Sequence, residues 1–378
     1  MCILNNSDAK FIAEIEERFT SGKEDINTQD KKGKTYLMGV LEQEGGIAAV
    51  QACLSAGASL QAQDAKGCTP LMYALRYRAS TETVLALLEA GSSLEVENKR
   101  EMTPLSYALK YHAEPAVVRA FIAAGADVEH TPSTGKTPLF RALEYKASPE
   151  IVQELLDAGA NACAEECHGY TTLWYAVKDG GEEENIRSLI KNGANASRTY
   201  NHRNRDENNL LRYALEHEMS IGIIRALIDG GADVNDYPCP LGYALKHEMS
   251  ADIIRALVDG GTKARASYLE YALKQNMGID IIQALIDGGA DVDGYPNPLE
   301  YALEQKMSTD IIRALINAGA KANILTAIKH GWGAEIIRGL IANGARVYKY
   351  TIERALEINR HLNPDILRIL YNAEGHED

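Results

Sequence analysis

The sequence predicts an all-α-dominated solenoid, a stack of helix-turn-helix repeats, and three observations carry that reading. A glycine in the step (A/G/N)-G-(A/S/T) recurs at Gly57, Gly91, Gly125, Gly159, Gly193, Gly231, Gly261, Gly289, Gly319 and Gly344. Four successive gaps are 34 residues, followed by 38, 30, 28, 30 and 25, and self-similarity at such periods marks repeat architectures. An apolar segment precedes each glycine, as in Val84-Leu85-Ala86-Leu87-Leu88 and Ile223-Ile224-Arg225-Ala226-Leu227-Ile228, with helical spacing. The glycine then falls at the C-terminal end of the helix, where a residue without Cβ turns left-handed at least cost.

The segments Thr69-Pro70-Leu71-Met72-Tyr73-Ala74, Thr103-Pro104-Leu105-Ser106-Tyr107-Ala108 and Thr137-Pro138-Leu139-Phe140-Arg141-Ala142 resemble the ankyrin signature T-P-L-H-x-A. Gly159-Ala160-Asn161 and Gly231-Ala232-Asp233-Val234-Asn235 are similar to the family's G-A-D-V-N, and Asp64-Ala65-Lys66-Gly67 to its turn before the next T-P-L. The resemblance covers residues 20–320 well and the C-terminal end weakly. It implies ankyrin repeats, each a helix-turn-helix plus a β-hairpin finger, and a non-enzymatic protein-binding role.

Composition narrows the function. The net charge is −14; residues 1–209 carry 22 basic and 30 acidic side chains, and residues 210–378 carry 17 and 23. Neither half offers the broad basic field that nucleic acid or an anionic membrane requires. No basic-then-apolar leader stands in MCILNNSDAK, and no run reaches the ~18 apolar residues of a membrane span. The six cysteines lack framework spacing, which fits a reducing compartment. A cytoplasmic monomer is expected, with export by a route that needs no cleavable signal left open.

In chain order, residues 1–34 read as an N-terminal capping unit, with Ser7 or Asp8 capping a helix to about Phe19 whose outer face (Glu14, Glu17, Arg18) is polar. Residues 35–196 are repeats with full-length fingers: Val128 to Leu139 spans 11 positions. Second helices open with caps such as Ser148-Pro149-Glu150. Residues 197–209, SRTYNHRNRDENN, lengthen one finger and cluster Arg198, His202, Arg203 and Arg205. Residues 210–350 form repeats with shortened fingers, since Val234 to Leu241 and Val292 to Leu299 span 7 positions and Ala264 to Leu269 spans 5. Pro238, Pro240, Pro296 and Pro298 occupy those turns and donate no ladder hydrogen bond. Residues 351–378 read as a C-terminal cap, with Asn363-Pro364-Asp365 opening its second helix and a polar tail following.

Candidate binding residues follow from position within the repeat. Two and three residues after the signature alanine stand Arg76/Tyr77, Lys110/Tyr111, Glu144/Tyr145, Lys178/Asp179, Glu216/His217, Lys246/His247, Lys274/Gln275, Glu304/Gln305 and Lys329/His330. In ankyrin proteins the matching positions face the concave groove. Tyrosine there offers rigid area with a polar tip, so Tyr77, Tyr111 and Tyr145 read as a contact column, against the alternative of a solvated helix face. Finger tips supply a second set: Lys99, Arg100 and Met102; Ser133, Thr134 and Lys136; Cys167, His168 and Tyr170. Met219, Met249, Met277 and Met307 read as core filling, and Tyr213, Tyr243, Tyr271 and Tyr301 as a packing stack between repeats.

No metal site or cofactor is expected. Cys163-Ala-Glu-Glu-Cys167-His168 invites a zinc reading, but a closed zinc site needs four ligands and no second Cys/His pair lies nearby. His217 and His247 sit on adjacent stacked helices whose axes should lie about 8–10 Å apart, wide for one ion. Catalytic motifs are absent: no G-x-S-x-G, H-E-x-x-H, Walker loop or G-x-G-x-x-G. The expectation is therefore a protein-protein interaction module binding through groove and finger tips. A groove of the acidic second half would favour a partner's basic segments. The near-identical ALEHEMSIGIIRALIDGGADV and ALKHEMSADIIRALVDGG motivate an alternative, a structural spacer or assembly rod. A further alternative, an effector acting in another cell, rests on the family's habits alone.

Overall fold

The computed structural model describes residues 6–20, 22, 24–178, 180–197, 209–236 and 239–374. Its elements are helices in antiparallel pairs, and the chain divides into two compact units, Met1–Leu210 and Leu211–Asp378.

In the first unit the pairs are Tyr36–Glu42 with Ile47–Ser55, Pro70–Arg76 with Thr81–Glu89, Pro104–Lys110 with Pro115–Ala123, Pro138–Glu144 with Pro149–Asp157, and Thr172–Val177 with Glu183–Lys191. First helices pack on first helices and second on second. The reason is written in the signature: Leu71, Leu105, Leu139 and Leu173, with Ala74, Ala108, Ala142 and Ala176, are all buried. Each such leucine contributes about 1.5–3 kcal/mol on leaving water, and the small alanine lets neighbouring helices approach. The signature proline opens its helix in three of these pairs, where its missing N–H costs nothing. Each recurring glycine ends the second helix with φ between 80° and 96°.

The fingers are built from turns. Asp30, Asp64, Asn98 and Glu166 each begin one, and each side-chain oxygen accepts backbone N–H groups two and four residues on, as Asp64 Oδ1 does from Lys66 (2.8 Å) and Cys68 (2.7 Å). Successive fingers are stitched by backbone bonds: Ala65 N–H donates to the Lys32 carbonyl, Lys99 to Lys66, and Cys167 to Thr134. At the finger between the last two, Ser133 N–H donates instead to the Glu101 carboxylate. The expected β-hairpin is reduced, among the described residues, to one antiparallel bridge between Glu165 and Thr171. Satisfying the amides by side chains removes the need for a ladder.

The second unit pairs Leu210–Glu216 with Ile221–Asp229, Pro240–Lys246 with Ala251–Asp259, Ala266–Lys274 with Ile279–Asp287, Pro298–Glu304 with Thr309–Asn317, Ile324–Lys329 with Ala334–Ala342, and Lys349–Ile358 with Pro364–Glu374. Its fingers are shorter, and their cross-repeat links run through side chains: Thr262 Oγ1 donates to the Val234 carbonyl at 3.1 Å and Asn297 Nδ2 to the Lys321 carbonyl at 2.7 Å. Met219, Met277 and Met307 are buried and Met249 half-buried, in the core-filling role expected of them.

Three local expectations need correction. Asp8 lies inside the helix Asn6–Ile15 rather than capping it; its carboxylate accepts the Gly46 N–H at 2.7 Å, where the helix Ile47–Ser55 begins. The N-terminal helical run does reach Phe19 as expected, its last turn, Glu16–Thr20, being π-helical. Ser148 holds the N-cap position but its side chain makes no capping bond. Pro240 and Pro298 are first residues of helices rather than turn residues. Among the described residues no helix is long and apolar enough to cross a membrane.

Candidate functional site

Tyr77, Tyr111 and Tyr145 cap the C-terminal ends of three successive first helices of the first unit, and all three are half-buried. The residue after each turns left-handed, Arg78 at φ 54°, His112 at 55° and Lys146 at 54°. That conformation costs a residue with Cβ roughly 1–2 kcal/mol, and it closes the helix tightly with the tyrosine at its rim. Tyr77 is tethered: its phenol donates to Glu42 Oε1 at 2.8 Å, and Glu42 Oε2 meets Lys34 Nζ at 2.5 Å. Lys34 and then Tyr77 hold the Glu42 carboxyl below its usual range. Tyr111 lies 5.4 Å from Tyr107, centroid to centroid.

Beside this column stands a group of cations without carboxylate partners among the described residues. Arg76 lies over the Tyr77 ring at 5.5 Å and Lys110 over Tyr111 at 5.8 Å. Burial, with Arg100, Arg141 and Arg76 nearby, pushes the Lys110 ammonium below its ordinary range. Arg141 is the unusual member. It occupies the signature position filled by Tyr73, Tyr107 and Tyr175 in other repeats, is 7% exposed, and its buried Nε has no hydrogen-bond partner among the described residues.

Two clefts open at the inner turns of this unit. One, of about 300 Å³, is lined by Tyr111, His112, Arg78 and Glu114 among others. The other, about 530 Å³, lies against Lys136, Glu144, Lys146, Tyr175, Lys178 and Asn185. The helix Thr172–Val177 stops a residue short of its counterparts, and its C-cap Lys178 is extended.

The finger tips divide. Lys99, Arg100, Ser133, Thr134, Cys167 and His168 are exposed, whereas Met102 is buried and leaves the contact set, because the Asn98 turn draws its N–H inward. Lys136 is tied to Glu144 at 2.5 Å. Tyr170 is half-buried and stacks on Trp174 with centroids 4.2 Å apart; Tyr175 and Phe140 extend the cluster. Trp174 and Tyr175 were not singled out by the sequence reading. Their signal was present, since two adjacent aromatics follow Thr-Thr-Leu where other repeats carry at most one ring in the two positions ahead of the alanine.

In the second unit His217 and His247 are exposed and stack on Tyr213 and Tyr243 of their own helices at 3.9 and 4.1 Å. Those tyrosines are half-buried, so the stack they form is with a histidine one helical turn on as well as with the core. Arg198, His202, Arg203 and Arg205 lie outside the described residues.

The family comparison agrees with this fold. The family model "Ankyrin repeats (3 copies)" matches residues 6–98, 78–166, 105–200 and 145–238. The chain belongs to the ankyrin-repeat family. Among solved structures it is similar to the ankyrin repeat domain of Bcl-3, a member of the IkappaB protein family, at 25% identity and a TM-score of 0.47 over 59% of this chain and 97% of that one. It is also similar to the human ASB11 ankyrin repeat domain, at 22% identity and a TM-score of 0.48 over 62% of this chain and 99% of that one. A search of curated proteins returned no match. Ankyrin repeats are in general protein-protein interaction modules.

Proposed function

We propose that the protein binds a protein partner through the inner-turn surface of its first unit, centred on Tyr77, Tyr111 and Tyr145. The observation that carries this reading is the company those rings keep: Arg76, Arg100, Lys110 and the nearly buried Arg141, none with a carboxylate in ion-pair contact among the described residues. A buried cation without a partner is costly, and an incoming carboxylate offsets that cost with charge-assisted hydrogen bonds. The segment received here is therefore acidic and flanked by apolar side chains that lie on the tyrosines. The basic segments expected of a partner belong to the groove of the acidic second half and not to this surface. The exposed finger residues Lys99, Arg100 and His168 and the half-buried Tyr170 form the surrounding rim, His217 and His247 offer a separate contact set on the second unit, and the cytoplasm is the compartment that fits the free thiols.

The test is affinity capture from the source cell's lysate with the wild type and with Tyr77→Ala/Tyr111→Ala/Tyr145→Ala, followed by titration of the captured partner. The variant is expected to lose at least about a hundredfold in affinity while remaining folded by circular dichroism. Binding should also weaken steeply with salt. Equal capture by both proteins removes the tyrosine column from the interface.

A further inference from the structure

The fifth finger departs from its predecessors at one atom. In the second and third fingers the second polar atom of the turn-forming side chain meets the signature tyrosine. Asp64 Oδ2 accepts from the Tyr73 hydroxyl at 2.9 Å, and Asn98 Nδ2 donates to the Tyr107 hydroxyl at 2.9 Å. Glu166 keeps the turn, its Oε1 accepting the His168 and Tyr170 N–H groups. Its Oε2 is not on Tyr175, the matching tyrosine. It lies instead 2.9 Å from His168 Nδ1 and 3.5 Å from Cys167 Sγ, and those two are 3.3 Å apart. The Glu166 side chain is 1% exposed, while the His168 side chain is 76% exposed, and Cys167 too is on the surface.

We propose that Glu166, Cys167 and His168 form an open site for one divalent transition-metal ion of the zinc type. Bonds of about 2.3 Å to sulfur and 2.0–2.2 Å to nitrogen and oxygen, at tetrahedral angles, put such donors roughly 3.3–3.6 Å apart. The three separations observed here reach that range with a spreading of a few tenths of an ångström at the Glu166–His168 edge. Thiolate, carboxylate and neutral imidazole together carry two negative charges against the ion's two positive ones. Binding releases the Cys167 thiol proton to water and involves no change of oxidation state. The carboxylate is already oriented, because two backbone amides hold its other oxygen, as second-shell groups do in metal sites. The remaining coordination position faces solvent, so the site is of the open, water-bearing kind and not the closed four-ligand site that the sequence argues against. Among the described residues a second cluster, Glu95, Asp127 and His130, also brings three donors together. It lacks a thiol, which allows the two to be told apart.

Cobalt(II) titration of the reduced, tag-free full chain tests the assignment. The expected result is a near-ultraviolet sulfur-to-cobalt charge-transfer band with intensified visible bands, both displaced by added zinc. Cys167→Ser should abolish the charge-transfer band, and His168→Ala should weaken the apparent affinity about tenfold or more. Cys163→Ser and Cys239→Ser should leave both unchanged, with circular dichroism showing every variant folded. No charge-transfer band in the wild type, or one that survives Cys167→Ser, overturns the proposal. So does a band lost in Cys167→Ser but indifferent to His168→Ala, which would mark a lone thiolate.

Discussion

Asn185 is a carboxamide at a helix position that is apolar in most other repeats. Val117, Ile151, Ile223, Ile311 and Ile336 are the third residues of their second helices and are buried, and Asn185 is buried with them at 6% exposure. Its Oδ1 has no partner among the described residues. An unsatisfied buried acceptor costs about 1–3 kcal/mol. Asn185→Ile should therefore raise the unfolding free energy by about 1–2 kcal/mol in urea titration. A decrease would mean that the carboxamide is satisfied in solution. The same side chain lines the 530 Å³ cleft, so a stability gain would fit the common pattern in which a binding surface is kept below its stability optimum. Arg141 raises the same issue with a charge. Both residues were readable as letters in the sequence, yet their lack of partners depends on what three neighbouring helices put around them, and no spacing rule encodes that.

Helix starts are the elements most directly tied to sequence. The Thr69 and Thr103 hydroxyls accept from the Met72 and Ser106 N–H groups at 3.4 and 3.3 Å. Thr137 stands in the same position, but its hydroxyl is buried without a partner among the described residues. Thr103→Ala should cost about 1 kcal/mol, the usual value of an N-cap. Thr137→Ala should be near neutral, and a loss equal to that of Thr103→Ala in thermal unfolding would show that the two caps work alike. The helices, the buried Leu and Ala of each signature and the left-handed glycines were legible because each obeys a local rule of period or torsion. The fingers were legible only in length. What holds them is long in sequence and short in space: Gln29 to the Gln63 carbonyl, Asn27 to the Gly57 carbonyl, Gln61 to the Gly91 carbonyl. Asp8 escaped for the same reason, since its bond to Gly46 crosses 38 residues. The Cys167–His168 pair was visible, but its third donor, Glu166, reads as one more acidic turn residue until its oxygen is placed.

At the scale of the molecule, two units carry separate cores, and stability in a stack of repeats is a sum of repeat and nearest-neighbour terms. The units differ in the second kind of term. Backbone-to-backbone bonds join fingers in the first unit, whereas among the described residues the second unit relies on side chains such as Thr262 and Asn297. Hydrogen exchange under native conditions should give lower opening free energies for amides of residues 240–342 than for those of residues 70–160. A single opening energy shared by both sets would refute the difference.

The finger-to-finger bonds also bear on how such a chain grows over generations. Each donor reaches back one repeat, and each carbonyl that accepts is met from one repeat ahead, as with Ala65 to Lys32 and Lys99 to Lys66. A gene segment encoding one whole repeat can therefore be copied in place without stranding an amide, because the new copy takes over one bond and supplies the next. A copy of part of a repeat breaks the handover at both its ends. The linkage that steadies the folded fingers thus acts as a reading frame for duplication, admitting whole units and penalising fragments.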